Sequence, residues 1–371
     1  MGRRGWGRWW MPGESVLPLL AGTVANMLLE PLLLRAKGKC MMTKRSCWML
    51  SLPLFFVAGF AGRVFALAGQ TGVAPTPEIF APGVISGPAN DGAPTFSPDG
   101  STLFFTRSAA QWTVILESHQ VKGEWTKPVL APFSGEWPDS SPAMSPDGKF
   151  VVFQSSRPVV PVSAADDHAK PHVVSNLWRV YRVGAGWSEP KRLPEAVNLP
   201  GASIWKPSVA ADGTIYFTGI DAKGQKRLYA SAYKEGAYQQ AEPLAFSDGT
   251  TLDVDPEIAP DGSFLVFVSA GRMAGNPKDH LFLVLKKGDG WGPVTAIHFA
   301  DEEKNGYSTD DEPRLGVDHR TVYFSSDRVV PVHFPRTQEQ ARKDLERMDL
   351  WDNSNLNVWR VSISGWVESG A

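Results

Sequence analysis

Cysteine is almost absent from this sequence. The chain has 371 residues and two cysteines, Cys40 and Cys47, and both precede residue 69, where we expect the mature chain to begin. The mature chain can therefore form no disulfide, no thiolate metal site and no cysteine nucleophile. A chain of this length can bury a hydrophobic core large enough to fold without disulfides.

The body of the chain also lacks the positive charge that nucleic-acid binding requires. Residues 1–68 contain nine Lys and Arg against two Asp and Glu, a net charge of +7, which leaves −9 of the total of −2 for the remainder. Proteins that bind nucleic acids present a basic surface. The composition therefore argues against a nucleic-acid partner.

Common catalytic motifs are missing as well. The sequence contains no Gly-x-Ser-x-Gly, no His-Glu-x-x-His and no glycine-rich phosphate loop. His168 and His172 stand close to Asp166 and Asp167, but such residues in a polar loop are usually solvated. We therefore expect neither a metal ion nor a cofactor.

The amino-terminal segment has the pattern of an export signal. The basic residues Lys44 and Arg45 precede an apolar stretch, and small residues suited to cleavage after Ala68 follow it. We expect a periplasmic or secreted bacterial protein. The alternative is that apolar segments of the leader stay in the membrane as anchors. The expected divisions are an over-extended start or extra leader (1–40), a signal peptide (41–68) and a single propeller domain (69–371).

One sequence motif occurs five times in the rest of the chain. The copies read APTFSPDGSTLFFTR, SPAMSPDGKFVVFQSSR, KPSVAADGTIYFTG, DPEIAPDGSFLVFVSAGR and EPRLGVDHRTVYFSSDR. Apolar residues alternate on both sides of an Asp-Gly turn, or an Asp-His turn in the fifth copy, and this pattern predicts a β-hairpin. A segment that opens with Trp or Tyr after a glycine turn follows each hairpin and predicts further strands. A unit of four strands in roughly 50 residues has the period of a β-propeller blade.

The repeats predict an all-β fold, a propeller of four-stranded antiparallel blades. Five blades are expected, and six are the alternative. The fifth repeat lacks a complete outer strand, whereas segment 75–87 is similar to the outer-strand region of the first repeat. We expect 75–87 to pair beside 356–366 and close the ring, because closure removes exposed sheet edges.

The repeat resembles a known family. A proline and an apolar residue before SPDG, with a Phe-containing strand and SSR after it, are similar to the TolB-type β-propeller repeat, a Pro-Asp variant of the WD-like repeat. The resemblance covers about residues 75–366 and implies a propeller exported by bacteria. It implies little about function, since propellers serve many purposes. TolB has six blades and an extra N-terminal domain, so its role in the Tol-Pal system is not carried over to this chain.

Charged residues recur at fixed places in four of the five repeats. Each has Asp three residues before the repeat proline and Arg at the far end of the hairpin, and the third repeat instead has Ile204 and Gly219. Such pairs either lock a loop to its hairpin or form a ligand-binding rim. Trp205 either fills the gap in the third repeat or, together with Lys206, holds a sugar or an anion. The expected pairs are Asp91–Arg107, Asp139–Arg157, Asp253–Arg272 and Asp310–Arg328.

Two inserts separate the second and third strands of their repeats, at 158–175 and 329–355. A short helix, capped by Thr337 with Gln340 three residues on, is predicted in the second. Hairpin direction places both inserts and the Asp–Arg pairs on one rim, and leaves only tight turns on the opposite face. Long loops on a rigid scaffold are where binding residues concentrate.

These features favour a monomeric, non-catalytic module that binds a protein, a peptide or a glycan on the insert-bearing rim. Contact with a membrane is expected only through an uncleaved leader. The alternative is a glycan-active hydrolase that uses two inner-strand carboxylates. Glu257 and Arg314 stand in consecutive repeats, and a cross-blade ion pair is the simplest interpretation of them. The candidate carboxylates for the hydrolase are Asp91, Asp139, Asp255, Glu257 and Asp311.

Overall fold

A computed structural model describes residues 74–159, 175–221, 223–276, 278–302 and 306–368. They belong to one compact unit that spans residues 66–371. The predicted leader, the signal peptide and most of the insert at 158–175 lie outside the described residues. The described part contains no helix that is long and apolar enough to cross a membrane.

Five antiparallel sheets carry the five repeats in order, and the prediction of a five-bladed propeller is confirmed. The strands of the first two blades, preceded by a short N-terminal strand, are β1 (Glu78–Ile79), β2 (Asn90–Phe96), β3 (Thr102–Ala109), β4 (Trp112–Val121), β5 (Glu124–Trp125), β6 (Val129–Leu130), β7 (Asp139–Met144), β8 (Phe150–Ser155), β9 (Asn176–Val183), β10 (Gly186–Trp187) and β11 (Lys191–Arg192).

The remaining blades follow the same plan, and a small hairpin of β15 and β16 is added to the third. Their strands are β12 (Ile204–Val209), β13 (Ile215–Ile220), β14 (Lys226–Ser231), β15 (Tyr233–Lys234), β16 (Ala237–Tyr238), β17 (Glu242–Pro243), β18 (Leu252–Ile258), β19 (Phe264–Ala270), β20 (His280–Lys287), β21 (Gly290–Ala296), β22 (Asp310–Leu315), β23 (Thr321–Ser326) and β24 (Asn357–Ser362). The two helices are α1 (Gln338–Leu350) and α2 (Ser364–Glu368).

The N-terminal strand closes the ring, as predicted. β1 pairs with β24, with Glu78 opposite Arg360 and Ile79 opposite Trp359. The N–H of Phe80 then donates to the carbonyl of Val358 at 2.8 Å. The fifth blade is thus built from both ends of the described chain. The Trp366 segment, aligned by sequence with the outer strands of other blades, instead forms α2, because β1 occupies the strand position beside β24.

The Asp-Gly turns fold for local reasons. In the second blade, Asp147 Oδ1 accepts hydrogen bonds from Ser145 Oγ at 2.8 Å and from the N–H of Lys149 at 3.1 Å. Gly148 follows with φ of +70°, a left-handed conformation that glycine adopts without a steric penalty. His319 takes the corresponding place in the fifth blade with φ of +51°, so the divergent fifth copy keeps the same turn.

The second strand of each hairpin supplies the core. Its central phenylalanine is 0% exposed in all five blades, which confirms the predicted strand register. The hydrophobic clusters that contain these rings join side chains of neighbouring blades. The five residues are Phe105, Phe153, Phe217, Phe267 and Phe324.

Candidate functional site

All four expected Asp–Arg pairs form, and we refer to them as the clamps. Arg107 Nε lies 2.6 Å from Asp91 Oδ1, and Arg157 Nη1 lies 2.7 Å from Asp139 Oδ1. Arg272 Nη2 lies 2.6 Å from Asp253 Oδ2, and Arg328 is bonded to both carboxylate oxygens of Asp310. Each of the four aspartates is at most 1% exposed.

Each clamp also holds the loop that leads into its blade. Arg107 donates to the carbonyl of Ile85 at 3.1 Å, Arg157 to that of Phe133 at 2.7 Å and Arg272 to that of Phe246 at 2.8 Å. Arg328 instead donates to the Asp301 carboxylate at 3.2 Å. The clamps therefore tie each connecting loop to its own hairpin.

Burial is the largest influence on the pKa of two of the clamp carboxyls. Burial raises the pKa of Asp91 and of Asp310 to about 6, although the partner guanidinium acts in the opposite direction. An arginine beside a carboxyl lowers its pKa, but for these two groups burial has the larger effect. A ligand-binding role for the clamp residues remains a prediction.

The third blade replaces its clamp with an apolar contact. Ile204 is fully buried and lies opposite Gly219. Its loop is held instead by Asn198, which accepts from the N–H of Leu177 at 2.8 Å and donates to that residue's carbonyl at 3.0 Å. Trp205 is half-buried, with Lys226 Nζ 5.6 Å from its ring.

Sequence reasoning missed a backbone feature that recurs in every inner strand. A register shift interrupts each pairing of first and second strands. At its centre a residue other than glycine has φ between 46° and 55°, which is uncommon and re-aims the side chain. The available signal was the repeat proline, which follows every one of these positions. The five residues are Ala93, Ser141, Lys206, Asp255 and Glu312.

Three of these side chains form a buried charged cluster. Lys206 Nζ, from the third blade, contacts the Glu312 carboxylate of the fifth and lies 4.0 Å from Asp255 Oδ2 of the fourth. The N–H of Glu312 donates to Asp255 at 3.3 Å. Burial lowers the pKa of Lys206 and raises that of Asp255. The structure thus separates Lys206 from Trp205, which sequence reasoning had grouped as one sugar or anion site.

Asp311 lies beside this cluster and differs from its neighbours. Within the described residues its side chain makes no hydrogen bond and no ion pair. Burial raises its pKa to about 7, and the charges of Asp255 and Asp279 add to the effect.

Both carboxylate oxygens of Glu257 have partners. Its Oε2 lies 3.4 Å from Arg314 Nη1 and accepts from Ser208 Oγ at 2.8 Å. Its Oε1 accepts from the N–H of Leu315 at 2.9 Å. The cross-blade ion pair inferred from sequence therefore forms. Of the five carboxylates proposed for a hydrolase, Asp311 alone lacks a hydrogen-bonding or ion-pair partner within the described chain.

The turn face carries a cavity of about 310 Å³, where sequence reasoning expected only tight turns. The ends of the inner strands splay apart around the axis and line it with an apolar ring. Glu257 and His319 supply polar groups to the lining. The apolar ring consists of Phe96, Met144, Val209, Ile258 and Leu315.

The insert at 329–355 carries the predicted helix. Thr337 caps α1, since its Oγ1 accepts from the N–H of Gln340 at 3.1 Å while its own N–H donates to Gln340 Oε1 at 2.8 Å. The insert lies at the clamp end of the blade, because Asp310 pairs with Ser326 and the insert follows closely.

Seven apolar side chains of the insert do not face the core. They form what we call the insert surface, and each member is 38–76% exposed. The half-buried side of α1 instead carries Ala341, Asp344 and Arg347, and Arg347 contacts both Asp344 and Asp352. These ion pairs lie within the insert and join the helix to the residues that follow it. The insert surface consists of Val329, Val330, Val332, Phe334, Leu345, Met348 and Leu350.

The end of the insert belongs to the scaffold. Trp351 is 7% exposed and packs edge-on against Trp359, with ring centroids 5.8 Å apart. Asn355 Nδ2 donates to the carbonyl of Pro88 at 2.7 Å. The insert surface, which precedes Trp351, is the exposed part of the insert.

No family model and no curated protein matches this sequence. Solved structures similar to it include TolB from Acinetobacter baumannii, with 15% identity over 64% of this chain and a TM-score of 0.42. The alignment spans about half, 49%, of that protein's length. A putative TolB from Agrobacterium tumefaciens has 17% identity, coverage of 75% of this chain and 79% of that chain, and a TM-score of 0.44. A GH62 hydrolase in complex with xylotriose has 11% identity, coverage of 78% and 98%, and a TM-score of 0.46. These similarities assign no function.

Proposed function

We propose that this protein is a non-catalytic binding module that docks a partner protein on the insert surface. The observation that supports this function is the gathering of seven exposed aliphatic and aromatic side chains in one insert. Where exposed apolar side chains form a contiguous patch on a soluble protein, they mark an interaction site. The insert projects from the clamp end of a rigid ring.

The chemistry of the patch favours a protein over a glycan. Leu345 and Met348 lie one turn apart on the same side of α1, 53% and 48% exposed, and Phe334 is 76% exposed. Aliphatic side chains offer no hydrogen bonds to sugar hydroxyls, whereas they pack well against an apolar protein surface. Methionine adapts its shape to such a surface.

The hydrolase is less well supported. Such an enzyme needs two carboxyl groups about 5–10 Å apart, one of which donates a proton. Asp91 and Asp139 are held in clamps, and Glu257 accepts three hydrogen bonds. No second carboxylate in the proposed set is therefore free to act together with Asp311.

Site-specific photocrosslinking tests the proposed function. A photoreactive residue at Leu345 is compared with one at Val129, which is 54% exposed on the edge of the first blade. We expect a product only from position 345, and mass spectrometry then identifies the partner. The affinity of the purified partner should fall by about tenfold or more in Leu345→Glu/Met348→Glu, because truncating or charging central apolar contacts removes most binding energy.

Two outcomes would contradict this function. One is equal crosslinking at both positions. The other is full affinity of the double variant for the captured partner. A crosslink between two copies of this chain, together with a dimer in light scattering, would show that the insert surface mediates self-association and does not bind a different protein.

We further infer that the repeats are of the TolB type and that the protein is exported to the periplasm. The SPDG-containing repeat and the signal-like segment at 41–68 support this inference. N-terminal sequencing of the exported product should begin at Gly69. An intact leader in the membrane fraction would contradict cleavage.

A further inference from the structure

One blade junction differs from the others. In four connecting loops a hydroxyl or amide oxygen accepts a backbone N–H from the third strand of the preceding blade, at 2.8–3.1 Å. In the loop between the fourth and fifth blades, Ala300 follows Phe299 where Ser134 follows Phe133 and Ser247 follows Phe246. Alanine cannot make this hydrogen bond. The residues that make it elsewhere are Ser86, Ser134, Asn198 and Ser247.

A histidine and carboxylates gather at this junction instead. His280 begins β20 and is 1% exposed. Its Nε2 lies 2.8 Å from the carbonyl of Ile297, which only accepts hydrogen bonds, so Nε2 carries the proton. Its Nδ1 is therefore a lone-pair donor, and it has no hydrogen-bond partner within the described residues.

The groups around His280 cannot satisfy it. Asp310 Oδ2 lies 3.7 Å from Nδ1, and an ionised carboxylate has no proton to donate. Glu302 Oε1, 3.6 Å from Nε2, is also buried without a hydrogen-bond partner in the described chain. Buried polar atoms that lack partners are rare in folded proteins and call for an explanation.

We propose that His280, Glu302 and Asp310 bind a divalent transition-metal ion, with zinc as the best fit. A ring nitrogen of His280 and one carboxylate oxygen each of Glu302 and Asp310 lie within 4.8 Å of one another. Two atoms that bind zinc at about 2.1 Å in a tetrahedron are about 3.4 Å apart, close to the 3.7 Å between Nδ1 and Asp310. Imidazole with carboxylates is a donor set that suits zinc better than magnesium or calcium.

Charge and access also fit a cation at this place. Asp301, Glu302 and Asp310 bring three carboxylates, and Arg328 is the cation bonded to two of them. His298 Nδ1 lies 3.7 Å from Glu302 Oε2, and this imidazole is 59% exposed. His298 thus contacts Glu302 from the solvent side, although it lies outside the group of three residues whose ligand atoms are within 4.8 Å of one another. The ion ties β20 of the fourth blade to β22 of the fifth, at the junction that lacks the hydroxyl.

The Ile297 carbonyl plays a supporting role in this site. By accepting the Nε2 proton it fixes the tautomer that leaves Nδ1 free to bind metal, a role that such acceptors perform around many metal-bound histidines.

Calorimetry with zinc chloride on the chelator-treated protein tests the site. We expect Glu302→Gln, which keeps the side-chain shape, to weaken zinc binding by about tenfold or more, and His298→Ala to weaken it less. The matched control is His119→Ala, because His119 Nε2 lies 3.8 Å from Glu117 on an exposed strand. Zinc should raise the melting temperature of the parent and of the control, and should raise it less in Glu302→Gln.

The proposal is overturned if zinc gives no heat with the parent protein, or if Glu302→Gln binds zinc as tightly as His119→Ala does. His280→Ala removes a buried ring and can fail to fold. Glu302→Gln and His298→Ala therefore carry the test, after circular dichroism has shown that both retain the parent's spectrum.

Discussion

The clamps and the insert surface lie at the same end of the propeller and are opposite in character. The clamps repeat in four blades, their aspartates are at most 1% exposed, and their arginines hold the connecting loops. The insert surface belongs to the fifth blade, is apolar, and has members up to 76% exposed. The clamps, which recur around the ring, therefore stabilise the fold, whereas the insert surface, which is not part of the repeat, is available for binding.

The first prediction compares the same change, Phe to Ala, at a buried position in the ring and at an exposed position in the insert. Phe153 is fully buried, whereas Phe334 is 76% exposed. Phe153→Ala should lower the free energy of unfolding by about 3–5 kcal/mol, because it removes buried area and leaves a cavity. Phe334→Ala should change it by less than about 0.5 kcal/mol. Urea unfolding measures both values, and similar losses would place the insert in the core.

The second prediction concerns a single clamp. Asp139→Ala leaves Arg157 with a buried, uncompensated charge, since that side chain is 10% exposed. We expect a loss of about 3–5 kcal/mol in unfolding free energy. The control is Asp147→Ala at an exposed turn, where Asp147 pairs with Lys149 at 2.9 Å and the loss should stay below about 1 kcal/mol. Equal effects of the two changes would contradict a structural role for the clamp.

The third prediction uses the third blade, which folds without a clamp. Replacing both partners of a buried ion pair by apolar residues of similar volume leaves no charge unpaired. Asp253→Leu/Arg272→Met should therefore cost less unfolding free energy than Asp253→Ala alone. A double variant that is as unstable as the single one would show that the arginine's hydrogen bond to the Phe246 carbonyl, rather than its charge, holds the loop.

Much of the ring could be predicted from sequence, because period-two alternation and the turn fix the register of each hairpin. That register brings Asp139 opposite Ser155 and near Arg157. The closing strand was also predictable, since the fifth repeat lacked an outer strand that 75–87 could supply.

The parts that could not be predicted depend on contacts between distant segments. Leu345 and Met348 share a helix side, but the helical pattern alone does not show that this side is exposed while the side with Asp344 is half-buried. The His280 cluster joins three segments, and no local pattern indicates it.

One measurement tests the central contrast most directly. Residues 332–349 are replaced by a Gly-Ser linker, which removes most of the insert surface and keeps the buried Trp351. Unfolding free energy and partner affinity are then measured on the same preparation. We expect unfolding within about 0.5 kcal/mol of the parent and no detectable binding of the crosslinked partner. Full affinity in the shortened protein, or a collapse of its stability, would contradict the assignment of binding to the insert and of stability to the ring.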